Sequence, residues 1–277
     1  MKSQHAIDLY LDLMKSTLNF ALWPEPPVPI EAFMYRKSAY KRLLIAVSSR
    51  LLGLKNLQLF EKRNLRADAR DEGRFWPGLA HTMIGRKRLD NLQYCVETAL
   101  RDQVEGDMIE TGVWRGGACI LMRAILAAHE VKDRRVFVAD SFEGLPEPDE
   151  AKYPVDRGDT HHIHTFLAIS QSEVENNFRS YGLLDEQVVF LKGWFEDTLP
   201  KAPIDKLAVL RLDGDMYGST MVALTNLYPK LSRGGFCIID DYGLLTCQKA
   251  TDDFRAANGI RDELITIDHT AKYWRKS

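Results

Sequence analysis

The stretch that decides the fold is Asp107-Met-Ile-Glu-Thr-Gly-Val-Trp-Arg-Gly-Gly117. A short aliphatic segment, residues 108–112, passes directly into a turn rich in glycine that opens a helical sequence. This is the join of a buried strand to a crossover helix. The texture repeats downstream, where residues 135–140, 188–193, 207–213 and 236–241 are further buried-strand candidates. The segments between them are long enough for crossover helices, so these strands are expected to lie parallel in right-handed βαβ units. Residues 263–267 and 271–275 stand too close for a crossover and are expected to pair antiparallel. The fold class expected is α/β.

Upstream of residue 105 the texture is helical. Tyr10, Leu11, Leu13, Met14, Leu18 and Leu22 recur at helical spacing, and that run must stop before Pro24. A second helical region is expected over about residues 31–70. A third runs over 85–102 with Leu89, Leu92, Val96 and Leu100 as its apolar stripe. Residues 31–75 hold eleven Lys/Arg against five Asp/Glu beside a Leu-rich face. Such a stripe suits a solvated basic face whose apolar side docks on its own protein or on a sister subunit, and a membrane surface is the rival. The expected organisation is a helical region, 1–104, followed by an α/β domain, 105–277, in a homo-oligomer.

Composition narrows the function classes. The 277 residues carry 37 Lys plus Arg against 39 Asp plus Glu, a net charge of -2. No overall field exists to hold a polyanion, so nucleic acid is not an expected partner. The longest aliphatic run, residues 43–47, is far short of the ~20 residues a bilayer crossing needs. The first residues are polar and lead into charged sequence, so no secretory signal is expected. Cys95, Cys119, Cys237 and Cys247 form no Cys-x-x-Cys pair and read as reduced, mostly buried residues of a cytoplasmic protein.

In an open parallel sheet, ligands bind beyond the carboxyl ends of the strands. The first strand ends in Glu110-Thr-Gly-Val-Trp-Arg-Gly-Gly117, a turn that lets a ligand approach the backbone and offers helix N-terminal amides. Its glycines, at 112, 116 and 117, do not follow Gly-x-Gly-x-x-Gly, which argues against a dinucleotide-dependent sugar oxidoreductase. The second strand ends in Asp140, a carboxylate suited to two ribose hydroxyls, or to capping the turn through Ser141. The last parallel strands end in Asp213, with Asp215 two residues on, and in Asp240 and Asp241. Acids converging at one sheet edge repel one another unless protonated or neutralised, and oxygen-only ligation points to a hard divalent cation such as Mg²⁺. Residues 142–166 carry three prolines and His161, His162 and His164, and are expected to form a lid next to the second strand end. The histidine spacing does not resemble a zinc site. Trp114, Trp194, Tyr217 and Trp274 are candidates for stacking on a flat ligand, although core packing is the commoner role of an aromatic.

Together the runs ETGVWRGGA, VADSFEGLPEPD, GWFEDTLP, LAVLRLDGDMYGST, LYPKLSRGG and IDDYG resemble the macrocin O-methyltransferase family. YLDLMKSTLNFALWPEPP and HTMIGRKRLDNLQYCVE extend the resemblance over almost the whole chain. It implies a Rossmann-like, seven-stranded class I methyltransferase sheet, S-adenosylmethionine as methyl donor, Mg²⁺ as cofactor and a glycosylated small molecule as substrate. By motif, Glu110, Thr111, Gly112, Val113, Trp114, Arg115, Gly116 and Gly117 would line the methionine and ribose end, and Asp140 with Ser141 would hold the ribose. Gly193 and Trp194 would sit by the adenine, and Met83 with Ile84 would close the site from the N-terminal region. Asp213, Asp240 and Asp241 would match the metal carboxylates, Asp213 doubling as general base with Asp215 its near competitor. Gly218 stands where the family pattern has Glu, and His269 where Trp is common, both toward the acceptor.

Overall fold

The computed structural model describes residues 3–30, 37–61, 67–75 and 78–277. Seven strands form one sheet: β1 (Asp107–Thr111), β2 (Val136–Asp140), β3 (Val188–Lys192), β4 (Leu207–Leu212), β5 (Leu231–Ile239), β6 (Ile265–Thr266) and β7 (Lys272–Arg275). Their spatial order is β3-β2-β1-β4-β5-β7-β6. The first five run parallel, and β7 is antiparallel to both its neighbours. Each strand expected from the sequence is present, and the late pair is antiparallel as expected. β5 starts five residues before the expected residue 236, because its pairing with β4 slips between Leu207 and Val209 and absorbs the Ser-Arg-Gly-Gly stretch. Chain order reverses between β1 and β4, which makes their carboxyl ends the topological switch point.

Both faces of the sheet are covered, so its strands alternate between two cores rather than between core and water. Met108, Val136, Val138, Phe236 and Ile238 face one core. Ile109, Phe137, Ala139, Cys237 and Ile239 face the other. The second face is packed by α6 (Tyr217–Leu227) and α7 (Leu245–Ala257), through Leu224, Leu227, Cys247 and Phe254. The first is packed by α4 (Gly117–Ala128) and α5 (Gln171–Ser180), and also by α1 (Gln4–Leu18) and α3 (Arg86–Arg101). Leu11, Met14 and Leu18 of α1, with Leu89, Leu92 and Val96 of α3, are buried in the same core as β1 and β2.

The region between α1 and α3 differs from one long helical run. Within the described residues, α2 (Ala39–Gly53) is a separate helix, and Val28–Pro29 pairs antiparallel with Phe60–Glu61. A short helix, Ala67–Asp71, follows. Residues 31–36 and 62–66 of the expected second helix lie outside the described residues. The chain turns back because Pro29 breaks the helical pattern and its carboxyl neighbour Ile30 hydrogen-bonds Leu59. α2 buries none of its residues, and Leu43, Leu44, Val47 and Leu51 are exposed. Among the described residues no helix is long and apolar enough to cross a membrane.

If α1 belongs to the core, Leu11→Ala and Leu18→Ala should each destabilise the protein by about 2–5 kcal/mol in urea unfolding. Leu43→Ala on α2 should stay within about 0.5 kcal/mol. Equal small effects at all three positions would detach α1 from the cooperative unit.

Candidate active site

Register sets the geometry of the strand ends. Thr111 pairs with Ala139 on one side and Leu212 on the other, and Leu212 pairs with Ile239. The next residue of each strand, Gly112, Asp140, Asp213 and Asp240, therefore stands in one row along the carboxyl edge. Gly112 is required there. Its φ is +83°, and a Cβ would collide with the carbonyl oxygen of Asp213.

The turn after β1 spends its amides on the protein. Val113 N–H donates to Asp140 Oδ2 at 2.8 Å, Gly116 N–H to Val113 O at 2.7 Å and Gly117 N–H to His81 O at 2.9 Å. The sequence reading that the helix N-terminus offers free amides to a ligand is corrected at Gly116 and Gly117. Gly116 packs on Val174, and Gly117 lets the His81 carbonyl approach. Asp140 Oδ1 accepts from Phe142 N–H at 2.7 Å, so both carboxylate oxygens take backbone donors. A carboxylate oxygen has a second lone pair, so capping and holding a hydroxyl are compatible here. The Ser141 hydroxyl closes its own turn by donating to Gly144 O at 2.7 Å. Burial pushes the Asp140 carboxyl up, against the pull of those backbone donors.

A cavity of about 1090 Å³ opens over this edge. Met83, Ile84, Glu110, Gly112, Val113, Trp114, Arg115, Asp140, Ser141, Trp194, Asp213, Asp240 and Asp241 of the expected site all line it. Thr111, Gly116, Gly117 and Gly193 do not; Thr111 is wholly buried. Trp274 is also wholly buried, against Tyr228, and is core rather than a stacking platform. Gly218 and His269 both face the cavity. The N-terminal region forms one wall, held by a chain of contacts. Arg70 bonds the carbonyl of Phe20, Glu25 accepts from Gly78 N–H at 2.7 Å, and Arg115 donates to the carbonyls of Gly78 and Ala80.

Beneath the acids run two buried guanidiniums that the sequence reading did not single out. Arg211, inside β4, bonds Glu110, Asp213 and Asp240. Arg88, on α3, bonds Asp240, Asp268 and Thr270. Asp240 therefore has both oxygens on arginines, and Glu110 has its second oxygen 2.9 Å from Cys119 Sγ. An arginine inside the otherwise aliphatic run Leu-Ala-Val-Leu-Arg-Leu was the signal available in the sequence.

The carboxylates that converge are Asp213, Asp215 and Asp241, with one oxygen from each within 4.8 Å of the others. The expected trio is thus altered, with Asp215 in the cluster and Asp240 behind it. Asp215 reaches the cluster because its backbone turns left-handed, at φ +54°, while its N–H points at Asp241 Oδ2 at 3.4 Å. Burial first, and repulsion from a neighbouring carboxylate second (Asp240 on Asp213, Asp213 on Asp215, Asp215 on Asp241), push all three carboxyls above the ordinary range. A divalent cation fits this set, since one oxygen from each of three carboxylates comes within reach of one point and, among the described residues, an arginine bonds Asp213 alone of the three.

The chain matches the family model of the macrocin O-methyltransferases (TylF) over residues 7–276. The chain belongs to the macrocin O-methyltransferase family. A demethyldecarbamoylnovobiocin O-methyltransferase of Streptomyces niveus is 51% identical over 97% of this chain and 94% of that one. An 8-demethyl-8-(2,3-dimethoxy-alpha-L-rhamnosyl)-tetracenomycin-C 4'-O-methyltransferase of Streptomyces olivaceus is 50% identical over 99% of this chain and 94% of that one. The solved structure of the O-methyltransferase NovP superposes with a TM-score of 0.83 at 49% identity, covering 98% of this chain and 99% of the other. As a member of the macrocin O-methyltransferases, the chain is an S-adenosylmethionine-dependent O-methyltransferase with the class I methyltransferase sheet.

Removing the central cation should expose what it holds. Arg211→Met leaves Glu110, Asp213 and Asp240 without it and should cost about 3–5 kcal/mol at neutral pH in urea unfolding. The loss should shrink as the pH falls, because protonating the stranded acids relieves the repulsion. A pH-independent loss would assign the effect to packing alone.

Proposed function

We propose that this enzyme transfers a methyl group from S-adenosylmethionine to a sugar hydroxyl of a glycosylated small-molecule natural product, with Mg²⁺ bound. The observation that carries the reading is the cavity itself, which joins Asp140 at one strand end to the Asp213, Asp215 and Asp241 cluster at the other. Both relatives named above act on small-molecule products, one of them bearing a named sugar, and that supports the substrate class.

In this reading Asp140 holds the ribose through its free lone pairs, while Trp114, Trp194, Met83 and Ile84 enclose the donor. Asp213, Asp215 and Asp241 would hold the cation, and Asp240 acts from behind by fixing Arg88 and Arg211. When bound, the donor supplies an activated methyl sulfonium and the cation supplies positive charge beside the acceptor hydroxyl. The chain aligns that hydroxyl with the methyl carbon and accepts its proton as the O–CH3 bond forms and the S–CH3 bond breaks, which leaves S-adenosylhomocysteine as the neutral thioether. Arg211 donates to Asp213 at 3.0 Å and competes for its electron pairs. Among the described residues no arginine bonds Asp215, so it replaces Asp213 as the favoured base.

Residues 1–104 act as cover and oligomer contact for a methyltransferase domain over 105–277. The exposed apolar face of α2 suits a second copy, and a dimer or larger assembly is expected by light scattering. The four cysteines are free and buried, in keeping with a reducing compartment, and we assign the enzyme to the cytoplasm.

Incubation with S-adenosylmethionine, Mg²⁺ and demethyldecarbamoylnovobiocin as a probe glycoside should give a product with one added methyl on the sugar. Methylation of the aglycone alone, or full turnover in excess chelator, would overturn the reading. Asp215→Asn should lower turnover by more than about 10²-fold. A near-native Asp215→Asn beside an inactive Asp213→Asn would return the base to Asp213. Asp140→Ala should weaken S-adenosylhomocysteine binding by about 1.5–3 kcal/mol in calorimetry. Unchanged affinity would leave Asp140 as a cap only.

A further inference from the structure

Residues 145–167 contain no strand and no α-helix, only three short 3-10 turns, yet one of their side chains is buried as deeply as the core. Asp156 is 1% exposed. It reaches out of the loop to the first turn of α6, where Oδ1 accepts from Tyr217 N–H at 2.7 Å and Oδ2 from Gly218 N–H at 2.9 Å. Met216, at the N-cap position of α6, supplies no capping side chain. The loop therefore provides the cap that the helix lacks, and a carboxylate is the favoured group at a helix N-terminus.

The contact is extended by shape. The Tyr153 ring lies against Gly218, so closely that a Cβ there would come within 2.6 Å of it, and it packs beside Tyr217 at 6.0 Å between centroids. The other polar ties from the loop to the body, Lys152 with Glu196 and Trp114 with the Phe166 carbonyl, are exposed. The capped turn follows directly on Gly214, Asp215 and Met216, and Asp215 sits there in a left-handed conformation. Three residues beyond Asp156, Asp159 accepts from His161 Nδ1 at 2.8 Å and fixes that ring where it lines the cavity with Asp215.

We propose that Asp156 is the latch of this loop, a positioning residue that, by capping α6, ties loop closure to the geometry of the Asp213 to Met216 turn. With the loop down, the cap holds the turn that presents Asp215, and His161 completes the wall facing it. With the loop up, the helix loses its cap and the turn loses its anchor. The acceptor compartment is thereby assembled by the same contact that encloses it, while at the donor end Asp140 bonds Val113 and Phe142, and the loop reaches that end through the exposed Trp114–Phe166 and Lys152–Glu196 ties, which the latch does not use. The inference rests on the assignment of Asp215 to the acceptor side, but its test does not depend on turnover.

Amide hydrogen exchange on the intact chain decides it, with two variants that disturb the latch differently. Asp156→Asn replaces one acceptor by a donor facing a backbone N–H, and Gly218→Ala drives a methyl against the Tyr153 ring without touching the carboxylate. In both, exchange in residues 150–167 should rise at least about tenfold, together with the amides of residues 213–218. S-adenosylhomocysteine, as probe of the donor end, should keep its affinity within about threefold in calorimetry. Unchanged loop exchange in either folded variant would overturn the latch. So would faster loop exchange with no change at residues 213–218, which would show that loop and turn are uncoupled. Lost S-adenosylhomocysteine affinity in the variants would overturn the separation of the two ends. Failure of the unaltered protein to bind S-adenosylhomocysteine would count against the donor assignment, and the exchange data would still decide the latch.

Discussion

Arg211 is a cation buried among Glu110, Asp213 and Asp240, and the carboxyl edge of the sheet depends on it. Three carboxylates brought together by strand register cannot stay ionised away from water without positive charge at their centre. Arg88 repeats the device one step outward, between Asp240 and Asp268. The two guanidiniums anchor β1, β4 and β5, helix α3 and the segment before β7 to one another by charge. Neither guanidinium hydrogen-bonds Asp215 or Asp241, and that is the basis for proposing a cation at the outer cluster.

The same network explains why the N-terminal region is inseparable from the site. Arg88 projects from α3, and α3 shares its core with α1 and the first face of the sheet. Gly117 takes the His81 carbonyl against its amide, so the wall of the cavity is bonded to the turn after β1. α2 stands apart from that core, with Leu43, Leu44 and Leu51 exposed. Its exposure is the physical basis for proposing it as a contact between copies rather than as enclosure of the donor.

Much of this was legible in one dimension. Aliphatic runs ending in Asp140, Asp213 and Asp240 announced parallel strands with acids at their tips, because a strand buried on both faces leaves polar residues nowhere but its ends. The motif resemblance then named the chemistry. Less legible were the partners of those acids. Arg88 sits in the helix at the edge of its apolar stripe and reads as a surface residue until Asp240 and Asp268, both more than 150 positions away, are seen against it. Asp156 in a proline-rich loop carries no local sign of capping a helix some sixty residues downstream.

The strands, their order of appearance, the acids at their ends and the family all follow from local pattern or from motifs read in line. Tertiary structure alone decided which carboxylates are spent on arginines and which remain free, because ion pairing depends on distances across the sheet that register and side-chain direction set together. It also decided that the glycines of the turn after β1 serve close packing, with Gly112 against the Asp213 carbonyl and Gly117 against that of His81. The positive φ of Asp215 belongs to the same class. A residue other than glycine adopts that conformation only when surrounding contacts hold it there, and those contacts come from Asp241 in the turn after β5, from α7 and from the loop that carries Asp156.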